Sequence, residues 1–230
     1  MRLHRVSLCC LAVALWTAAA SAQESYTIEP LNEAPPTALA APLRATLSAA
    51  GYKGVDGGGK TYAEIWLRAS VPAAEKPGAS KGQVLFPVLA EGELLGALRF
   101  AGEGRDYRDQ SIAKGVYTLR YGLQPVNGDH LGVSPFRDYV LLLPAAKDVA
   151  TAKLAKKPLE DRSAEAAGTS HPAILMLVTA PASGPKPPAI SRDQEKNTWG
   201  AIIPLNLGIK GSDAATPFPV QLIVVGAAAA

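Results

Sequence analysis

The chain has 230 residues, of which 48% are hydrophobic and 19% are charged, and its formal net charge is +3. The hydrophobic content argues against a disordered chain, and no run of lysine and arginine longer than two residues offers a surface for nucleic acid. The 21 glycines and 19 prolines indicate many turns, which suit short strands better than long helices.

The N-terminus predicts a secretory signal peptide over residues 1–22. Arg2 and Arg5 form its positive start, Val6–Trp16 is a short apolar run, and small residues lead to a cleavage site after Ala22. The run is too short to span a bilayer comfortably, and no second long apolar run follows it. We therefore expect no transmembrane segment after cleavage.

Removal of this segment changes the composition of the chain. Cys9 and Cys10 both leave with it, so residues 23–230 can form no disulfide, thiolate nucleophile or cysteine-ligated zinc site. The remaining 21 basic and 20 acidic side chains give a formal charge of +1. An exported protein without disulfides suits a Gram-negative periplasm, and the sequence predicts a periplasmic or secreted protein.

The first predicted element is a short helix over Pro42–Ala50. Proline suits the first helical turn, Leu43 and Leu47 lie four residues apart on one face, and Gly51 suits the position after the last turn. From Gly51 onward the hydrophobic period changes. Two strand-like runs flank Asp56–Gly59, which predicts a hairpin.

Further strand-like runs follow along the rest of the chain. An Ala-rich piece with the sequence LEDRSAEAAG interrupts them and is suited to a short surface helix. The runs are Gln83–Val88, Glu93–Phe100, Val116–Gly122, Asp138–Pro144 and the later stretches HPAILMLVTAP, TWGAIIPLNLGIKG and FPVQLIVVG.

The pattern of elements favours a mainly β fold. About eight to ten short strands with one early helix are typical of an antiparallel β-sandwich, either Ig-like or jelly-roll-like, because helices do not alternate with strands. No internal repeat or clear linker divides the chain, so we expect a single domain over residues 23–230.

Two histidines remain after cleavage, and each lies where a loop meets an apolar run. If those runs pair, His130 and His171 can approach each other with Asp129 nearby, and two imidazoles with one carboxylate suit a divalent transition metal. Their spacing matches no metal motif, so the alternative is that His130 bonds to backbone in a turn and His171 caps a strand. Asp129, His130 and His171 are the candidate metal ligands.

The sequence gives weaker evidence for a serine nucleophile, a phosphate-binding loop or a carbohydrate site. No G-x-S-x-G elbow is present, and the glycines of the hairpin turn lack the spacing of a phosphate-binding loop. Carbohydrate binding is an alternative, because sugar rings stack on aromatic faces; the candidates are Trp66, Tyr121 and Trp199. The segment EGRDYRDQ is interpreted as a solvated turn with mutually compensating charges, or else as a polar recognition rim.

One segment resembles a known group of proteins. The strand entry I-x-x-G-x-Y-T-L-R-Y and the loop that follows it are similar to those of exported bacterial proteins that have no assigned activity. The matching residues are Ile112, Gly115, Tyr117, Thr118, Leu119, Arg120 and Tyr121, then Gly128, Asp129 and His130. The resemblance implies export and a β fold, and it transfers no catalytic residue.

These observations favour an exported, non-enzymatic β-sandwich protein that serves as a binding or structural module of the envelope. Its expected partner is a protein, an envelope component or a small ligand, and not nucleic acid. No cofactor is expected under this interpretation. A divalent metal at Asp129, His130 and His171, with hydrolytic activity, is the alternative, and a carbohydrate-binding module is another.

Overall fold

A computed structural model describes residues 25–126 and 134–227. The signal-peptide prediction for residues 1–22 lies outside them. Within them the helices are α1 (Ala41–Arg44) and α2 (Lys156–Ala167). The strands are β1 (Tyr26–Leu31), β2 (Gly51–Asp56), β3 (Thr61–Leu67), β4 (Val71–Ala73), β5 (Leu94–Phe100), β6 (Gly104–Arg105), β7 (Ser111–Ile112), β8 (Gly115–Leu123), β9 (Asp138–Pro144), β10 (Ile174–Thr179), β11 (Ala189–Asp193), β12 (Thr198–Ile209) and β13 (Thr216–Val225).

The prediction of a mainly β fold is confirmed, but the strands form one large curled mixed sheet. Its order is β1-β2-β3-β5-β8-β9-β10-β13-β12-β11, antiparallel at each step, and β4 pairs with β12 in parallel. β6 and β7 form a separate pair. The two packed sheets of the expected sandwich are not confirmed.

The curl brings the two ends of the sheet together. Tyr26 on β1 lies edge-on to Trp199 on β12, with ring centroids 5.3 Å apart. Bulges in the β2–β3, β5–β8 and β12–β13 ladders increase the local twist that such curvature requires. Gly96 lies at one of them, where an added Cβ would collide with the carbonyl of Trp66.

The main core lies on the concave face of the sheet. Successive strand residues point to opposite faces, so Tyr117, Leu119 and Tyr121 of β8 face inward while Thr118 and Arg120 face outward. Strands from both halves of the sheet contribute to this same core, including β3 and β12. A curled sheet can therefore enclose a core that a flat sheet would leave exposed.

The convex face is covered at one end by an N-terminal segment, here called the N-terminal cover. Leu39, Leu43 and Leu47 pack there around Trp66, which is fully buried. The predicted helix over Pro42–Ala50 is not formed beyond the single turn α1. The chain leaves the helix because Leu47 forms a β-bridge with Arg68, and the sheet takes up the backbone groups that a longer helix would use.

Helix α2 covers the other end of the convex face, and we call this region the helical cover. Its Leu159 packs against Tyr139, Leu141 and Leu143 of β9. The helix ends at Gly168, which has the left-handed φ of 65° that favours glycine. The short helix expected in LEDRSAEAAG is thus confirmed, and α2 also includes the preceding lysines and Pro158.

A buried ion pair joins strand β8 to the loop that leads into the helical cover. The guanidinium of Arg120 donates from Nε to Oδ2 of Asp148 at 2.6 Å and from a terminal nitrogen to Oδ1 at 2.9 Å. It also donates to the carbonyls of Gly92, Ala150 and Ala152. These bonds hold the loop that leads into α2 against the sheet.

Candidate functional site

A cavity of about 320 Å³ lies between α2 and the convex face of the sheet, and we call it the α2 cavity. Its walls are formed by helix α2, by strands β9 and β10 with the residues that precede β10, by the two residues that follow β8, and by the turn between β6 and β7. Ligand pockets commonly have volumes of roughly 300–1,000 Å³. The α2 cavity is therefore large enough for a small organic molecule.

The floor of the cavity is apolar and aromatic. Tyr139, Ile174 and Met176 reach it from the outward positions of β9 and β10, and Tyr107 adds a second phenol ring. Tyr139 is buried, and its hydroxyl donates to the carbonyl of Leu123 at 3.3 Å. Such a surface favours the flat or apolar part of a ligand.

Both floor phenols have a raised pKa. Burial is the main cause at Tyr139, and the negative charges of Glu160 and Glu91 raise the pKa further while Arg137 lowers it. Burial also raises the pKa of Tyr107 above its ordinary value near 10. Both rings are therefore neutral hydrogen-bonding phenols at physiological pH.

The turn between β6 and β7 is held by Asp106, which is 1% exposed. Its Oδ1 accepts from the backbone N–H groups of Arg108 at 2.9 Å and Gln110 at 2.8 Å. Its Oδ2 accepts from the N–H of Ile174 at 3.1 Å, and the N–H of Tyr107 donates to the carbonyl of Ile174 at 2.7 Å. These bonds fix Tyr107 and Arg108 beside the cavity.

The interpretation of EGRDYRDQ as a solvated turn is therefore only partly right. Arg105 and Asp109 do form an exposed ion pair at 2.8 Å, as compensating surface charges would. Asp106, in contrast, is buried and joins the turn to β10. Arg108 reaches the rim of the cavity, which agrees with the alternative of a polar rim.

A second set of bonds fixes the rim at the end of α2. Ser163 donates its hydroxyl hydrogen to the carbonyl of Ala173 at 2.8 Å, and the N–H of Ala173 donates to the carbonyl of Ser163 at 3.2 Å. The N–H of His171 donates to Oγ1 of Thr169 at 3.1 Å. The helix end and the start of β10 thus hold His171 at the cavity mouth.

The charged groups around the cavity differ in whether they are paired. On α2, Asp161 accepts from Nζ of Lys157 at 2.9 Å, and Glu160 lies 3.9 Å from Nζ of Lys156. Among the described residues, the guanidinium of Arg108 forms no ion pair, and the imidazole of His171 forms none either. Among the described residues at the rim, Arg108 is therefore a cation without a carboxylate partner, while Glu160 has only the long contact with Lys156.

His171 is the one predicted metal ligand that the structure places. It is exposed at the mouth of the α2 cavity. Asp129 and His130 lie outside the described residues. Within residues 25–126 and 134–227, no group of three histidine, cysteine or carboxylate side chains is arranged to hold a metal ion.

The aromatic residues expected to stack on sugars are all buried. Trp66 and Tyr121 are each 0% exposed, and Trp199 is 8% exposed. The indole of Trp66 donates to the carbonyl of Glu33 at 2.8 Å, and the guanidinium carbon of Arg99 lies 5.5 Å from the ring centroid. None of the three offers an exposed stacking face, so the carbohydrate alternative loses the residues that motivated it.

Sequence reasoning missed most of the cavity floor. Alternation in β9 places Tyr139 on the same face as Leu141, and this much can be read from the run DYVLLLP. The position of Tyr107 near that face cannot be predicted from a local pattern. It depends on the hydrogen bond between Asp106 and Ile174 of β10, which are 68 residues apart in the sequence.

No family model, curated protein or solved structure matches the chain. No helix within the described part of the chain combines the length and hydropathy needed to cross a bilayer. The function is therefore inferred from the geometry of the α2 cavity together with the sequence.

Proposed function

We propose that this protein is an exported, non-enzymatic binding protein of the bacterial envelope and that it holds a small organic ligand in the α2 cavity. One observation carries the proposal: a cavity of about 320 Å³ combines an apolar, aromatic floor with a polar rim. Ligand sites generally have this composition, in which apolar walls supply contact area and a few polar groups set the orientation.

Two of the carboxylates near the cavity are already occupied by neighbouring groups, which supports binding rather than catalysis at those two positions. Asp106 uses both oxygens on neighbouring N–H groups, and Asp161 is paired with Lys157. A general base needs an available lone pair within reach of the substrate. Asp106 and Asp161 are therefore used by the local structure, whereas Glu160, which also lines the cavity, has only a 3.9 Å contact with Nζ of Lys156.

The export part of the proposal rests on the sequence. Residues 1–22 have the composition of a signal peptide, and the segment from Ile112 to His130 resembles exported bacterial proteins. Expression of the full chain in a Gram-negative host, followed by N-terminal sequencing of the periplasmic product, tests this part. A product that begins at Gln23 supports export, and an uncleaved cytoplasmic product contradicts it.

The binding part is tested on the exported product with phenol as the probe. We expect phenol at millimolar concentration to shift the amide resonances of Tyr107, His171 and Ile174 in heteronuclear NMR spectra. Ala164→Leu should abolish the shifts, because Ala164 lines the cavity and a larger side chain fills it. Ala79→Leu is the matched control, since Ala79 lies in an exposed loop.

Shifts that persist in Ala164→Leu, or no shifts with any small aromatic probe, would contradict binding at this place. In that case a structural role in the envelope, with a protein or envelope component as partner, becomes the better proposal. Chemical crosslinking of the exported protein in intact cells would then identify a neighbour.

The metal alternative is kept because His171 lies at the cavity mouth. Gln124 and Pro125 line the same cavity, and the chain continues from them toward Asp129 and His130 in sequence. Elemental analysis of the exported protein tests this alternative. One equivalent of a transition metal that is lost in both His130→Ala and His171→Ala would favour a metal site over the binding proposal.

A further inference from the structure

We propose that the ligand of the α2 cavity is a small anion with an apolar ring, such as an aromatic carboxylate. This inference rests on the proposed function and specifies the chemical class of the ligand. Two features of the cavity carry it: the aromatic floor and the unpaired cationic side chain at the rim.

The floor selects the body of the ligand. Tyr107 and Tyr139 present phenol rings, and Met176 adds a thioether next to them. Aromatic rings pack well against other rings and against sulfur. Tyr139 and Met176 are buried at 6% and 4% exposure, so this part of the cavity is largely enclosed by apolar side chains and favours an uncharged ring.

The rim selects the charge of the ligand. Arg108 has its backbone fixed by Asp106, while its guanidinium forms no ion pair among the described residues. A guanidinium offers a planar pair of donors that matches the two oxygens of a carboxylate. His171 lies on the same rim and can donate a second hydrogen bond.

The acidic residues at the cavity do not supply the same attraction for a cation. Asp161 already accepts Nζ of Lys157 at both oxygens, at 3.0 and 2.9 Å. Glu160 lies 3.9 Å from Nζ of Lys156, which is a weaker contact, and its negative charge still acts on Tyr139 at the floor. A cationic ligand would compete with these lysines, whereas an anionic ligand finds Arg108 available.

Three probes of similar shape separate charge from shape: benzoate, benzamide and benzylamine. Titration of the exported protein, followed by the amide shifts of Tyr107 and His171, gives a dissociation constant for each. We expect benzoate to bind at least about 5-fold more tightly than benzamide, and benzylamine to bind most weakly. The benzoate preference should decrease as salt is raised, because the rim is exposed to solvent.

Arg108→Gln should weaken benzoate binding by a larger factor than benzamide binding and so remove most of the benzoate preference. Arg105→Gln is the matched control, because it makes the same change in the same turn at a residue paired with Asp109. Arg108→Lys should retain part of the preference, since it keeps the charge and loses the planar pair of donors.

The outcomes separate this inference from the proposal on which it rests. Equal binding of benzoate and benzamide, or tightest binding of benzylamine, would overturn the anionic assignment and leave the binding function intact. A benzoate preference that survives in Arg108→Gln would overturn the role of Arg108. Absence of shifts with all three probes would overturn both the inference and the proposed function.

Discussion

Arg120 and Arg108 both lie outside the main core, but they differ in burial and in the partners of their guanidinium groups. Arg120 is fully buried and donates to one carboxylate and three carbonyls. Arg108 is exposed on a turn, with its backbone held and its guanidinium without an ion pair among the described residues. The first arginine is committed to the fold, and the second is available to a ligand.

The comparison shows that two guanidinium groups within one protein can differ in how far the fold itself uses them. A buried guanidinium is tolerated because Asp148 offsets its charge and the loop carbonyls accept its remaining hydrogens. An exposed guanidinium has no such requirement, since water solvates it. We therefore expect substitution of Arg120 to lower stability, and substitution of Arg108 to lower ligand binding with little change in stability.

The largest expected effect is that of Arg120→Met. The substitution leaves the buried carboxylate of Asp148 without its partner, which should lower the free energy of unfolding by about 3–5 kcal/mol. Urea denaturation followed by circular dichroism measures this loss. Arg105→Met, at an exposed ion pair, is the control and should change stability by less than about 1 kcal/mol.

A double variant that removes the charges of both Arg120 and Asp148 shows whether the loss comes from an unpaired buried charge. Arg120→Met/Asp148→Leu should be less destabilised than Arg120→Met alone, because no unpaired charge stays buried. A loss below about 1 kcal/mol for the single substitution would mean that the pair contributes no more than a surface pair.

A somewhat smaller effect is expected for Asp138→Asn. The buried carboxylate of Asp138 accepts from the N–H groups of Leu85 and Phe86 at 2.7 and 3.0 Å and from the hydroxyl of Tyr121 at 2.6 Å. An amide can accept at only one end, so we expect a loss of about 2–3 kcal/mol in the same denaturation experiment. Tyr121→Phe removes only the bonds of one hydroxyl, to Asp138 at 2.6 Å and to the carbonyl of Phe86 at 3.4 Å, and should cost less.

A smaller effect again is expected for Tyr139→Phe, and it concerns how the free energy of unfolding changes with pH. Burial, with Glu160 and Glu91, raises the pKa of Tyr139 above the value of 10 that an exposed tyrosine has. Its contribution to stability is complete below pH 10 and is lost as the pH rises from there toward the folded-state pKa, because the unfolded state releases its proton first. Each such tyrosine adds a slope of up to about 1.4 kcal/mol per pH unit.

Denaturation between pH 8 and 11 measures this slope. Tyr139→Phe should decrease the loss at pH 11 by about 1 kcal/mol relative to the wild type. Tyr121, whose pKa is also raised by burial and by its hydrogen bond to Asp138, should behave in the same direction when changed to phenylalanine. If the free energy of unfolding changes with pH in the same way for the wild type and for Tyr139→Phe, the raised pKa of Tyr139 is contradicted.

The smallest change in stability is expected for Arg108→Gln and His171→Asn. Both side chains are exposed, and substitutions at such positions usually change stability by no more than about 0.5 kcal/mol. Thermal unfolding should therefore be almost unchanged, in contrast to Arg120→Met. A loss above about 2 kcal/mol at Arg108 would show that this arginine also serves the fold.

Local pattern was sufficient for several features of the protein. The alternating run in Val116–Gly122 and the apolar run in Asp138–Pro144 correctly predict β8 and β9, because alternation depends on the strand backbone alone. The sequence also named His171, but as a metal ligand; it lies at the cavity mouth, and its role as a ligand stays a prediction. The prediction that it meets Asp129 and His130 lies outside the described residues.

The predicted helix over Pro42–Ala50 shows where local pattern fails. Its leucines do reach a core, as their spacing suggests, but the backbone after α1 pairs with the sheet at Arg68. Helical propensity over nine residues is weak, and tertiary hydrogen bonds exceed it. Likewise, Trp66 and Trp199 were candidates for stacking on a ligand, but the N-terminal cover buries Trp66, and the curl of the sheet brings Tyr26 against Trp199.

By itself, the sequence determined the strand-rich character of the chain, its turns and the residues that alternate along each strand, since all of these depend on neighbours within a few positions. Only the tertiary structure decided that the strands form one curled sheet, that Arg120 is enclosed and that Arg108 is available. These properties depend on contacts between distant segments, such as Asp106 with Ile174 and Arg120 with Asp148. No local period encodes them, because pairing across the fold is set by the packing of the whole chain.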